Sequence, residues 1–152
     1  MRKIALLTLL PPFLAGCIND GIGMRIDGPE HAVSLVREQK LFWEKRMDLE
    51  VIVARLPDCQ RRHKLLPAAV SPNFKVEVYM TAPNTFLLEQ GKNLYSVETQ
   101  TCQKFAKLDE PPKEGKGELV GVFREDNGKL VFVAAQPATP PAPRFGLDDV
   151  IK

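Results

Sequence analysis

Between Phe74 and Thr81 the side chains alternate residue by residue, with Phe74, Val76, Val78 and Met80 in one set and Lys75, Glu77, Tyr79 and Thr81 in the other. Successive side chains of a strand point to opposite faces, so a period of two predicts a half-buried strand; on a helix the same four apolar residues would be scattered around the surface. Ala82-Pro83-Asn84 then carries turn chemistry, Thr85 to Glu89 reads as a second strand, and Gln90-Gly91-Lys92-Asn93 leads into a third, "LYSVETQTC". The three segments predict an antiparallel meander.

A second β signal lies nearer the C-terminus. In "ELVGVFREDNGKLVFVAA" the pair Asn127-Gly128 separates two β-rich runs, and Asn-Gly suits a two-residue type I′ turn because both residues tolerate positive φ. That turn sets Phe123 opposite Phe132 and Val122 opposite Val133. Apolar residues on both faces predict a hairpin covered on both sides.

From His31 to Leu56 two readings compete. Asp27, Gly28 and Pro29 could cap a helix over 29–43, with Leu35, Val36, Phe42, Trp43 and Met47 on one stripe. Val33 and Leu41 fall off that stripe, however, and "DLEVIVARL" is rich in β-branched residues. Two strands at about 31–41 and 47–56, turning near Trp43, are therefore expected, with the helix as the alternative. Phe42-Trp43 could serve ligand stacking or membrane contact, but a lone tryptophan in a small domain is expected in the core. Pro111-Pro112-Lys113-Glu114-Gly115 reads as a loop, and the prolines of "QPATPPAPRFGLDDVIK" predict a disordered tail over 137–152. The fold class expected is mainly β, a small antiparallel sandwich or partly closed barrel of about six to eight strands.

At the other end, "MRK" precedes the uncharged run "IALLTLLPPFLA". The run is shorter than the about 20 apolar residues a transmembrane helix needs, and Pro11-Pro12 would break a helix near its end. A positive n-region followed by a short apolar h-region is the pattern of a secretory signal. It closes on Leu14-Ala15-Gly16-Cys17, which resembles the lipobox of bacterial lipoproteins: an apolar residue and two small residues before an obligatory cysteine. The resemblance covers only this N-terminal segment. It implies alkylation of the Cys17 thiol by diacylglycerol, cleavage before Cys17, and acylation of the new amino group. The chain would then be anchored to a membrane without spanning it. Ile18 stands where the inner-membrane retention signal of enteric lipoproteins has Asp, so in a host with two membranes the resemblance implies outer-membrane sorting facing the periplasm.

This divides the chain into a signal peptide at 1–16, a lipidated N-terminus and short tether at 17–28, one β-rich domain at 29–136, and the tail. Whole-chain charge is +2, from 21 Lys and Arg against 19 Asp and Glu. Arg2 and Lys3 lie in the removed segment, so the mature chain is formally neutral. Nucleic-acid binders carry a basic excess that displaces counterions from phosphates, so that partner class is not expected.

With lipid on Cys17, two of the three cysteines remain. An exported compartment favours oxidation, so Cys59 and Cys102 are expected to form a disulfide, which would stabilise the fold by roughly 4 kcal/mol in the chain-entropy model. The competing reading is a reactive or metal-binding pair, for which His63 is one ligand without a set of others.

Catalytic motifs are not found. There is no Gly-x-Ser-x-Gly elbow, no His-Glu-x-x-His and no Walker loop, and Gly115-Lys116-Gly117 lacks the third glycine and preceding strand of a dinucleotide fingerprint. His31 and His63 are the two histidines that could act as proton shuttles, and neither stands in a serine–acid pattern. No catalytic residue, cofactor or metal is expected. Arg61, Arg62, His63 and Lys64, directly after Cys59, could bind anions such as lipid A phosphates, cell-wall acids or an acidic protein. The favoured reading of that run is a solvated strand edge whose cations oppose aggregation. The functional expectation is a non-enzymatic binding or assembly accessory of the envelope. Alternatives are a lysozyme-inhibitor lipoprotein, by analogy of architecture alone, and a small envelope hydrolase.

Overall fold

The computed structural model describes residues 17–136; the expected signal peptide and the expected proline-rich tail lie outside the described residues. Among the described residues eleven strands form two antiparallel sheets. In the first, β1 (Asn19–Arg25), β2 (His31–Glu38), β3 (Arg46–Arg55) and β4 (Cys59–Lys64) pair in that order, and the short β5 (Ala68–Ala69) continues alongside β3. The second contains β6 (Lys75–Ala82), β7 (Thr85–Gln90), β8 (Asn93–Glu98), β9 (Phe105–Leu108), β10 (Glu118–Asp126) and β11 (Lys129–Ala134), in the spatial order β11-β10-β6-β7-β8-β9. The sheets pack face to face as a sandwich and do not close into a barrel.

No helix occurs among the described residues. Residues 31–55 form the β2–β3 hairpin because their alternation matches a sheet buried on one face. His31, Val33, Leu35 and Arg37 on β2, with Met47, Leu49, Val51 and Val53 on β3, all point inward. Register sets Val33 opposite Val53 and Leu35 opposite Val51, β-branched and γ-branched pairs of the kind that stabilise neighbouring strands. Opposite them stand Val76 and Val78 of β6, Phe86 and Leu88 of β7, Val97 of β8 and Phe123 of β10. Each such side chain, fully buried, contributes about 1.5–3 kcal/mol relative to exposure.

The meander and the Asn-Gly hairpin form as expected. Val78 pairs with Leu88 and Leu88 with Tyr95. Asn127 and Gly128 have φ of 50° and 80°, and Phe123 faces Phe132 while Val122 faces Val133. The hairpin is covered on one side only, which corrects the expectation of two: Phe123 is buried, whereas Val133 on the opposite face is 42% exposed.

Two further expectations are corrected. The strand count exceeds six to eight because the sequence signals of β1, β4, β5 and β9 are weak. Residues 17–28 are not a slack tether, because Asn19–Arg25 pairs along its whole length with β2. Gly21 and Gly23 of that segment supply no side chain that would signal a strand in the sequence. Its inward face nevertheless carries Asp20, Ile22 and Met24, opposite Arg37, Leu35 and Val33.

Topology also dictates the path of residues 109–117. They leave β9 at one edge of the second sheet and must pass β8, β7 and β6 to reach β10. The inner face is filled by the first sheet, so the connection crosses the outer face, where Lys116 Nζ donates to both Glu89 carboxylate oxygens at 2.8 and 2.7 Å and lies over the Tyr79 ring. Leu87 and Leu94, which alternation directs to that same face, are buried there, outside the main core cluster.

Candidate functional site

The two open edges of the sandwich are fastened differently. At one edge, β4 and the segment after β8 are joined by the Cys59–Cys102 disulfide, whose Cα atoms lie 6.0 Å apart and which closes a sequence separation of 43 residues. His63 of β4 stacks on Phe105 of β9 beside it, with ring centroids 4.5 Å apart and planes within 4°.

At the other edge, β1 and β2 meet the β10–β11 hairpin through Arg37, whose side chain is fully buried. Its Nε and Nη2 donate to the two Asp20 carboxylate oxygens at 2.6 and 3.0 Å, its Nη1 to Glu125 Oε2 at 2.7 Å, and Nη2 also to the Gly128 carbonyl at 3.0 Å. Asp20 Oδ2 additionally accepts the Leu130 N–H at 2.7 Å. Burial pulls the Asp20 carboxyl upward, but the hydrogen bonds from Arg37 and Leu130 and the Arg37 charge outweigh it and hold Asp20 below its ordinary value. Burial likewise opposes the charge on Arg37, and its bonds to Asp20 and Glu125 more than offset that.

This ionic edge lies at the end of the first sheet where the described chain begins. Cys17 is exposed and its thiol is free. The next residue, Ile18, packs against the core, and its carbonyl accepts the Gln39 N–H at 2.7 Å. Gln39 opens the β2–β3 turn. Its buried side-chain amide donates to the carbonyls of Glu44 at 2.7 Å and Phe42 at 3.3 Å, and the Glu44 N–H closes onto the Leu41 carbonyl at 3.0 Å. The turn is therefore built from within, and it presents its apolar side chains outward.

Phe42 is 58% and Trp43 64% exposed, with Leu41 beside them also exposed. This corrects the expectation that Trp43 is a core residue. The inward positions next to the turn are already taken by Arg37 and Met47, and residues at the tip of a hairpin lie beyond the end of the opposing sheet. The two rings hold each other edge to face, with centroids 4.6 Å apart and an interplanar angle of 82°.

The run Arg61, Arg62, His63 and Lys64 is not one surface. It forms most of β4, so its side chains alternate: His63 turns inward onto Phe105, while Arg62 and Lys64 face out. Arg62 Nη1 donates to Glu50 Oε2 at 2.9 Å, and Lys64 stands directly across from Glu50. The outward pair helps line a groove of about 510 Å³ together with Lys40, Glu38, Asp48 and Glu50. Cations and carboxylates thus alternate there, an arrangement with little net attraction for a phosphate.

His31 is buried, with Nε2 2.7 Å from Thr99 Oγ1 and Nδ1 hydrogen-bonded to Asp27. This Asp–His–Thr chain was not visible in sequence, because Thr99 lies 68 residues away and is brought up only by the packing of the second sheet. Thr99 is itself fully buried, and neither histidine lines the groove or two further surface cavities, one lined by Met24, Met80 and Phe86 and one by Glu44, Lys45 and Arg46. Among the described residues no three His, Cys, Asp or Glu side chains converge as a metal site.

Comparison of the chain with protein-family models, with curated proteins and with solved structures finds no match in any of the three.

Proposed function

We propose that this is a lipid-anchored protein of the bacterial envelope, held by acyl chains on Cys17 and serving as a non-enzymatic binding or assembly accessory on the periplasmic face of the outer membrane. The observation that carries the reading is the division of labour among the cysteines. Cys59 and Cys102 are bonded to each other, whereas Cys17, the last residue of Leu14-Ala15-Gly16-Cys17, is exposed with a free thiol. A free exposed thiol in an oxidising compartment is chemically vulnerable; a thioether to diacylglycerol removes that vulnerability. Each buried methylene contributes about 0.8 kcal/mol, so two or more acyl chains make attachment effectively permanent.

An accessory role fits a surface whose most exposed apolar group is a hydrogen-bonded turn and whose histidines are committed to internal contacts. Labelling cells with radioactive palmitate tests the anchor. The full chain takes up label and fractionates with membranes, and Cys17→Ala takes up none and keeps its signal peptide. Label on the Cys17→Ala chain would refute the reading. Crosslinking in intact envelopes followed by mass spectrometry then identifies the contact partner.

A further inference from the structure

We infer that the β2–β3 turn, Leu41-Phe42-Trp43, is a second membrane contact, inserted into the interfacial layer of the same leaflet that holds the acyl chains of Cys17. The inference rests on the lipid-anchor reading above and adds to it an orientation and a lipid-facing surface. Three observations converge. First, the fold leaves no slack after the anchor: Ile18 is already packed on the core and bonded through its carbonyl to Gln39, so an extended residue of about 3.4 Å is all that separates Cys17 from the body. Second, the partner in that bond is the residue that opens the turn. The anchor and the turn therefore lie at one end of the first sheet, and whatever surface the anchor touches, the turn faces.

Third, the turn exposes what a bilayer interface accommodates. Leu41, Phe42 and Trp43 are consecutive exposed apolar residues, held out on a backbone fastened by the Gln39 amide. Val70, whose N–H bonds the Lys45 carbonyl at 3.0 Å, adds an exposed apolar side chain at the base of the turn. Tryptophan is enriched at headgroup level because its ring is apolar and its N–H can still reach a polar partner. Around the turn stand Lys40, Lys45 and Arg46 together with Glu38, Glu44 and Asp48, and Lys40 is paired with Asp48 at 2.7 Å. Charges of the two signs balance, so the contact is apolar and needs no anionic lipid. A turn of this size would not hold a protein on a bilayer alone, since stable association takes the burial of long acyl chains. Its effect is to fix the tilt of a body already tethered.

Trp43 is the only tryptophan of the chain, so its fluorescence reads this site alone. The lipidated full chain, purified from membranes, is reconstituted into phosphatidylcholine vesicles whose acyl chains carry bromine near the headgroup. Trp43 emission is expected to shift to the blue, lose intensity to the brominated lipid, and become protected from aqueous acrylamide. A vesicle-bound, acylated protein whose Trp43 emits as in water and remains open to acrylamide overturns the inference, and leaves the turn as a surface for a protein partner. Mass spectrometry of the same sample separates the two claims. Acylated Cys17 with a water-exposed Trp43 refutes only the second contact, whereas a Cys17 without lipid removes the anchor and the second contact together.

Discussion

Arg37 shows how a residue that looks out of place in a core can determine how the parts of a fold meet. It sits on the inward face of β2, where the alternation His31, Val33, Leu35, Arg37 would otherwise place another apolar side chain. A buried guanidinium is costly unless its donors are paired, and here four hydrogen bonds to Asp20, Glu125 and Gly128 do so. Arg37→Ala would strand two carboxylates against a cavity, and urea unfolding should show a loss of about 3 kcal/mol, the low end for such a deletion because Asp20 and Glu125 keep some contact with solvent. The network also makes an acid-dependent contribution. Asp20 is held below its ordinary value, so its stabilising effect is complete above about pH 4 and fades as pH falls through the lowered folded value. Unfolding measured across acid pH should therefore steepen below about pH 4 in the native chain and be shallower in Arg37→Ala.

At the scale of elements, the two sheets are fastened along one open edge by this ionic network and along the other by the disulfide with its His63–Phe105 stack. Replacing Cys59 and Cys102 by Ala should lower stability by up to roughly 4 kcal/mol while the strands keep their pairing, because each sheet retains its own hydrogen bonds and inward face. Guanidinium unfolding of the double variant, beside the native chain with and without reductant, checks this. A loss of β-sheet circular dichroism in folding buffer would show that the disulfide is required for the fold itself.

The elements that could be read from sequence are those whose own residues carry the whole signal: the alternation from Phe74, the Asn127-Gly128 turn with its register, and the β-branched run of β3. Those that escaped reading depend on partners. β1 has glycines on its outward face and Asp20 inward, and becomes a strand because β2 supplies Arg37, Leu35 and Val33 across from it. β4 is polar in sequence because Gln60, Arg62 and Lys64 face solvent, while the other set is Cys59, Arg61 and His63, of which Arg61 is itself exposed at the sheet edge. Phe42 and Trp43 misled because aromatic size favours burial, whereas their position at a hairpin tip forbids it. In the candidate site, Cys17 was visible as a motif and the Cys59–Cys102 pair by elimination. The proximity of Cys17 to the turn was not visible, because it follows from the pairing of β1 with β2.

For the whole molecule, these pieces define a direction. Cys17, the exposed turn and the ionic edge lie toward one end of the first sheet, while the disulfide and the Asp27–His31–Thr99 chain lie toward the other, near the far ends of β2 and β3. On the lipid anchor proposed for Cys17, a body with no linker would turn the disulfide-bearing end away from the membrane and leave that end open to a partner. Everything in this orientation depends on what is attached to Cys17. The most direct test is the intact mass of the mature protein extracted from membranes, with fragmentation of its N-terminal peptide. The expected product begins at Cys17 and carries diacylglycerol on the thiol and a fatty acyl group on the amine; a chain that retains residues 1–16, or begins elsewhere, with an unmodified Cys17 thiol would rule out the lipid anchor.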